Sequence, residues 1–133
     1  MDSVERAADG SRDESVDDLS DVLESQKKRH LLYCLAMYSN PMRLPDIADQ
    51  LTVWDGIGRE EEYLEKRLHI YNSLFHDHLP VLRARGLVRY HQAEDIVELG
   101  EAVSRIESTL KSSLEDELDS LLQIEAESMA QRD

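Results

Sequence analysis

Cysteine and long apolar runs are both scarce in this sequence. Cys34 is the only cysteine among 133 residues, so no disulfide can form within the chain, and its apolar surroundings predict a buried, inert thiol. The longest apolar run, residues 31–38, is far shorter than the roughly 20 residues that a membrane-spanning helix needs. The first residues have neither the basic start nor the apolar stretch of a secretory signal. We therefore expect a soluble, cytoplasmic protein.

Basic residues are also scarce, and they are distributed unevenly. The chain has 15 Lys and Arg against 29 Asp and Glu, a formal net charge of −14. Residues 1–26 carry −7, residues 27–91 carry +2 and residues 92–133 carry −9. Only the middle of the chain can therefore face a polyanion such as DNA. The acid excess, with 11 Arg to 4 Lys, is similar to the composition of salt-adapted, haloarchaeal proteins.

Apolar spacing and helix breakers divide the chain into tails, one domain and a final helix. Residues 1–17, rich in Asp, Glu and Ser, are predicted to be a disordered acidic tail, and residues 126–133 form a second tail. The domain, residues 18–100, is predicted to contain helices over about 18–38 and 44–53, a third from near Arg59, and a hairpin of the runs "LVRYH" and "IVEL". The fold class is mainly α with a small β-hairpin: a winged helix-turn-helix with a long C-terminal helix, residues 101–125.

The third helix, extended over residues 60–79, has two contrasting faces. One side is apolar and is predicted to face the core: Leu64, Leu68, Tyr71, Phe75, His78 and Leu79. The opposite side and its flanks are polar or cationic: Lys66, Arg67, His69, Asn72, Ser73 and His76. Such side chains suit a helix in the major groove, where polar groups read base edges and Arg or Lys hold phosphates. A merely solvated helix face would have a similar composition.

Metal binding and catalysis are not expected. His76 and His78 are alternate residues of one helix and point in nearly opposite directions, and no Cys or His and carboxylate cluster has ligand spacing. His78 is instead predicted to be a hydrogen-bonded core histidine. Ser73 near His76 lacks an oxyanion hole, and no phosphate-binding Gly loop is present. We predict no enzyme activity and no cofactor, and the sequence identifies no small-molecule substrate.

The stretch "HDHLPVLRARGLVRY" (residues 76–90) contains a recognisable pattern, formed by His78, Leu79, Leu82, Gly86, Leu87 and Val88. It resembles the end of the recognition helix and the first wing strand of winged helix-turn-helix regulators, including the arsenic-repressor-like group. With "KKRHLLYCLA" (residues 27–36), it is similar to a family of small haloarchaeal winged-helix proteins over about residues 19–100. The resemblance implies a transcriptional regulator that binds double-stranded DNA through the six polar residues of the third helix.

Three features depart from that pattern. Four glutamates, Glu60, Glu61, Glu62 and Glu65, crowd the start of the third helix. The predicted wing tip, Glu94-Asp95, is acidic, so the wing is not expected to contact DNA. The cysteine metal motif of the arsenic-repressor-like group is missing. The competing interpretation is therefore a winged-helix module for protein–protein interaction that does not bind DNA.

The last helix carries an apolar stripe with near-heptad spacing: Val103, Ile106, Leu110, Leu114, Leu118 and Leu121. A helix of about 23 residues is roughly 35 Å long, which is longer than the diameter of the three-helix core that precedes it. We therefore expect the stripe to pack against a copy of itself in a homodimer. Leu19 and Leu23 of the first helix are candidates to extend the interface. The alternative is that the last helix folds back onto its own domain.

Overall fold

The computed structural model describes residues 21–56 and 60–132, so the predicted tail at residues 1–17, and Leu19, lie outside the described residues. The helices are α1 (Gln26–Met37), α2 (Leu44–Trp54), α3 (Glu60–Ser73), α4 (Leu79–Ala84) and α5 (Glu107–Arg132). A π-helical turn (Leu74–His78) joins α3 to α4, and a 3-10 turn (Glu101–Arg105) precedes α5. The strands are β1 (Met42–Arg43), β2 (Val88–His91) and β3 (Ile96–Leu99).

The element order confirms the predicted fold class. Four helices, α1 to the short α4, lead into the antiparallel β2–β3 hairpin, here called the wing, and the long α5 follows it. The fold is mainly helical and winged-helix-like. The sequence did not predict β1, which pairs with β3 to complete a three-stranded sheet in the order β1-β3-β2. A strand of two residues is too short to show alternating hydrophobicity, which explains why it was missed.

The central helix α1 is covered on every side. Six consecutive residues are buried, from His30 to Leu35, and consecutive burial requires neighbours all around the helix. Ser25 caps its start, with a side chain that accepts a hydrogen bond from the Lys28 backbone N–H. Cys34 is fully buried, as predicted, and burial raises the pKa of its thiol well above its usual range. The thiol is therefore protonated and unreactive at neutral pH.

The helix α2 follows β1 directly and packs on both α1 and α3. Pro45 lies in its first turn, where a missing N–H costs nothing, and Asp46 complements the positive end of the helix dipole. Ile47, Ala48 and Leu51 are buried on one face, as their spacing predicted. Gly56, with φ of 92°, then ends the helix in a left-handed conformation that favours glycine.

The wing is joined to the helices by a close contact between two glycines. Gly86 has φ of 74° and follows α4, while Gly100 follows β3 and donates its N–H to the Leu87 carbonyl at 2.7 Å. A Cβ at Gly100 would lie 2.3 Å from the Gly86 carbonyl oxygen. The junction therefore requires glycine at position 100, and it fixes the start of β2 beside the end of β3.

The last helix folds back onto its own domain. Ile106, Leu110 and Leu121 of the predicted dimer stripe are buried within the single chain. Val103 and Leu114 pack partly against the same core, and Leu118 is half-buried. The expectation that this stripe packs against a copy of itself is therefore wrong for most of its members. Dimerisation itself stays a prediction, but it needs a different surface.

A polar network fastens α5 to α1. The Glu117 carboxylate accepts hydrogen bonds from the Arg29 guanidinium at 2.6 Å and from the Tyr33 hydroxyl at 2.6 Å, and His30 lies 3.3 Å away. Burial opposes ionisation of Glu117, but the hydrogen bonds from Arg29, Tyr33 and His30 outweigh it and lower the pKa of the carboxyl. The ionised Glu117 thus fixes the position of α5.

Candidate nucleic-acid interface

The third helix is rotated relative to the prediction. Ile70 and Leu74 are its buried residues, whereas Leu64 is 69 % exposed and Leu68 is 60 % exposed. The prediction that Leu64 and Leu68 face the core is therefore wrong. The π-helical turn supplies one physical reason, because it places Leu74 and Leu79, five residues apart, together in the core. A constant 100° per residue cannot be extended through such a turn.

Two predicted DNA contacts, Lys66 and Arg67, lie on the flank of α3 that faces α2. The Lys66 ammonium donates to the Gly56 carbonyl at 2.6 Å and lies 3.1 Å from the Asp55 carboxylate. The Arg67 guanidinium lies 3.7 Å from the Asp49 carboxylate. All four charged side chains remain partly exposed, and surface pairs of this kind contribute only about 0–1 kcal/mol. Phosphate oxygens can therefore replace these carboxylates as partners.

The other predicted contacts occupy the second half of α3 and the π-helical turn. His69, Asn72 and His76 are exposed, and Ser73 is half-buried. The rings of Phe75 and His76 meet edge to face, with centroids 5.0 Å apart, so the His76 imidazole is held at the surface. The exposed set thus provides amide and imidazole groups, which can donate and accept hydrogen bonds.

The first half of α3 presents a different surface. Glu61, Glu62 and Glu65 are exposed beside the exposed Leu64 and Leu68. Carboxylates repel phosphates, and leucine side chains cannot read base edges by hydrogen bonding. The half of α3 that carries Asn72 and His69 is therefore better suited to DNA than the half that precedes it.

The two histidines that frame Asp77 face different environments. His76 is exposed, while the His78 Nδ1 atom lies 3.0 Å from the Lys28 ammonium of α1. Burial lowers the pKa of His78, and the Lys28 charge lowers it further, so the neutral imidazole accepts this hydrogen bond. His78 is thus half-buried and hydrogen-bonded, close to its predicted role. Within residues 21–56 and 60–132, no group of three or more metal-ligating side chains is present.

Asp95 is a structural residue that the sequence did not reveal. It has φ of 56° at the wing turn, and its carboxylate accepts hydrogen bonds from the hydroxyls of Tyr71 and Tyr90. Its carbonyl accepts the Leu44 N–H at 2.8 Å. Burial and the Asp95 carboxylate raise the pKa of Tyr71 to about 12, so the phenol stays protonated as donor. Of the two acids at the predicted wing tip, Asp95 is therefore hydrogen-bonded within the fold, and Glu94 is exposed.

The cations of the wing strand β2 are paired across the hairpin. Arg89 Nε lies 3.2 Å from the Glu98 carboxylate, and His91 Nε2 lies 2.8 Å from the same oxygen. The hydrogen bond from His91, supported by the Arg89 charge, lowers the pKa of Glu98. These side chains lie on the outer face of the sheet. Because Glu98 balances the Arg89 charge, the wing has no net positive charge.

The described residues thus form a winged-helix-like domain whose third helix carries exposed polar groups in its second half. Residues 20–98 match the family described as Domain of unknown function (DUF7344), and the chain belongs to this family. No curated protein and no solved structure matches the chain. The matched residues contain all of α3, the π-helical turn and α4. Among the described residues, no helix is long and apolar enough to cross a membrane.

Proposed function

We propose that the chain is a cytoplasmic, DNA-binding transcriptional regulator of a salt-adapted archaeon, related in pattern to small haloarchaeal winged-helix proteins and arsenic-repressor-like regulators. The observation that carries the proposal is a local reversal of charge. Residues 66–91 hold five Lys and Arg and one acidic residue, Asp77, in a chain of net charge −14. We call the outer side of residues 66–91 the helix–wing surface. Its own residues carry a basic excess, and phosphates would take the place of the Asp55, Asp49 and Glu98 carboxylates that lie beside Lys66, Arg67 and Arg89.

The groups on the helix–wing surface divide into two roles. His69, Asn72 and His76 are exposed and carry the hydrogen-bonding groups that base edges require, and Ser73 lies beside them. Lys66 and Arg67 lie on the flank of α3, where cations hold phosphates and set the register of the helix on the duplex. The proposed contact is thus the major groove of double-stranded DNA, read by the second half of α3.

A homodimer is part of the proposal, with its interface moved along α5. Leu122 is 46 % exposed and Met129 is 69 % exposed, and they are seven residues apart on the same side of the helix. With the half-buried Leu118 they form a short seam that is not covered by the domain. A two-fold dimer of this kind can place two recognition helices about 34 Å apart, the spacing of successive major grooves.

A second function is favoured by one specific observation, the exposure of Leu64 and Leu68 among glutamates. An apolar pair flanked by carboxylates suits a protein partner with an amphipathic, cationic segment. In this alternative, the first half of α3 is the functional half, and the chain is a protein–protein interaction module that does not bind DNA.

A matched pair of double variants separates the two functions. We would measure binding of random and genomic DNA fragments by gel shift at about 0.2 and 1 M salt. The variant Asn72→Ala with His76→Ala should lose affinity for DNA, while Leu64→Gln with Leu68→Gln should retain it. Normal DNA binding by the first variant, or none by the parent chain, would overturn the proposal. Loss of binding only in the second variant would mean that DNA contacts the first half of α3 and not the second.

A further inference from the structure

A cleft of about 230 Å³ lies between the π-helical turn, the start of α4 and the wing strand β2. Its apolar walls are Phe75, Pro80 and Tyr90, and its polar groups are His76, Arg83 and Gln92. No carboxylate of the described residues lines it. The cleft is smaller than the roughly 300–1,000 Å³ of drug-sized ligand sites, so a single-ring compound is the size that fits.

The aromatic walls are held in place by the fold. The Tyr90 hydroxyl donates to the Asp95 carboxylate, which fixes one wall. Phe75 stacks on Tyr71 with an interplanar angle of 7°, and the Tyr71 hydroxyl donates to the same carboxylate. Phe75 and Tyr90 meet edge to face, with centroids 6.0 Å apart. Walls that are fixed before binding lower the ordering cost that a ligand must offset.

Pro80 shapes the third side of the cleft. Proline lacks the backbone N–H of a normal helical turn, and here the Leu79 N–H reaches back five residues to the Leu74 carbonyl. This wide turn precedes α4, which carries Arg83 one turn after Pro80. The π-helical turn thus ends where α4 and its Pro80 begin, and the position of the cleft follows from it.

Arg83 has no carboxylate partner among the described residues, in a chain that contains 29 acidic side chains. Its guanidinium lies 5.9 Å from the centroid of the Tyr90 ring, and the side chain is exposed. The Asp95 carboxylate already accepts hydrogen bonds from the hydroxyls of Tyr71 and Tyr90. The His76 imidazole adds a second nitrogen-bearing group at the rim of the cleft. The guanidinium is thus available to an anion from outside.

We infer that this cleft binds a small planar aromatic anion, with its ring against Phe75 and Tyr90 and its carboxylate on the Arg83 guanidinium. Ring stacking uses the fixed aromatic walls, and a carboxylate matches the fork of donors on arginine. An uncharged ring would leave Arg83 without a partner, and an aliphatic acid would lose the stacking. The inference concerns the free protein and does not depend on DNA binding.

Benzoate is the probe that tests the inference, added to the isotopically labelled full chain at constant ionic strength. Amide chemical shifts should change saturably and only around residues 75–92, with a millimolar dissociation constant suited to a single-ring ligand. Cyclohexanecarboxylate, which has the charge without the aromatic ring, should bind several-fold more weakly. Benzyl alcohol, which has the ring without the charge, should also bind several-fold more weakly.

Two variants and one control assign the contacts. Arg83→Gln should weaken benzoate binding by about tenfold, since it removes a charge-assisted hydrogen bond. Phe75→Leu keeps an apolar side chain but removes a ring, and should also weaken it. Arg105→Gln, at an exposed arginine of the 3-10 turn, should leave binding unchanged. Absence of saturable shifts, shifts spread over the chain, or equal affinity in parent and Arg83→Gln would overturn the inference.

Discussion

Single residues from distant parts of the chain hold the domain together. Glu117 of α5 bonds to Arg29 and Tyr33 of α1, more than 80 positions earlier, and His78 bonds to Lys28 across 50 positions. The sequence indicated that His78 was a hydrogen-bonded core residue but gave no means of finding Lys28. Side chains that meet only after folding carry no periodic signal, so such partners cannot be read from spacing.

Glu117→Gln should destabilise the domain without unfolding it. The amide keeps the shape of the side chain, but it loses the negative charge beside Arg29 and presents an NH₂ group where the Oε2 atom of Glu117 faces Arg29 and His30. Because Glu117 is partly exposed, we expect a loss of about 1–2 kcal/mol in the free energy of unfolding, measured by urea titration in high salt. Glu115→Gln, an exposed site on the same helix, is the control and should change little. An equal effect in both variants would contradict the role of the network.

Acidification from pH 7 towards pH 5 should lower stability through His30 and His78. Burial lowers the pKa of both imidazoles below the usual value for histidine, about 6.5. The unfolded chain therefore binds protons first as the pH falls, and stability present above about pH 6.5 is lost below it. Thermal midpoints in molar salt, where repulsion between the acidic ends is screened, should fall over this range. The variant His78→Gln should reduce the slope of the thermal midpoint against pH, and the variant His69→Gln, at an exposed site, should not. Equal slopes in the parent and His78→Gln would contradict this assignment.

At the scale of elements, the sequence predicted the helices and the hairpin well and the rotation of α3 poorly. The wing runs "LVRYH" and "IVEL" contain β2 and β3, and α2 ends within one residue of its predicted limit. For α3, two apolar stripes compete, one through Leu64 and Leu68 and one through Ile70 and Leu74. Periodicity alone cannot choose between them, because the choice depends on the cations that reach α2 and on the π-helical turn.

Paired substitutions test which stripe of α3 is buried. Ile70→Ala or Leu74→Ala should each lower the free energy of unfolding by about 2–4 kcal/mol, since they leave cavities in the core. Leu64→Ala and Leu68→Ala, at exposed sites, should each change it by less than about 0.5 kcal/mol. Chemical denaturation of the four variants decides the matter. A large loss at Leu64 or Leu68 would restore the orientation predicted from the sequence.

At the scale of the whole molecule, α5 covers the domain with one part of its length and leaves another part uncovered. Its 26 residues extend about 39 Å at the usual rise per residue. Ile106 and Leu110 are buried near its start, whereas Leu122 and Met129 are exposed towards its end. The apolar period of the helix can be read from the sequence, but only the folded chain shows which leucines its own domain covers.

The assembly prediction follows from this division of α5. In molar salt, sedimentation should report a dimer, and Leu122→Glu with Met129→Gln should yield a folded monomer. Leu110→Glu, by contrast, should unfold the chain because it places a carboxylate in the core. A parent chain that is monomeric at tens of micromolar would contradict the dimer, as would a dimer that survives the Leu122 and Met129 changes.

The most direct test of DNA binding by α3 is the salt dependence of DNA affinity in the parent chain and two variants. Each phosphate contact contributes about −0.9 to the slope of log K against log salt, so we predict a clearly negative slope for the parent. Arg67→Gln should weaken binding to every sequence and reduce the slope by about 1 per bound subunit. Asn72→Ala should leave the slope unchanged and relax discrimination at one base pair by about 1–3 kcal/mol. No measurable binding, or a slope near zero that neither variant alters, would contradict the account.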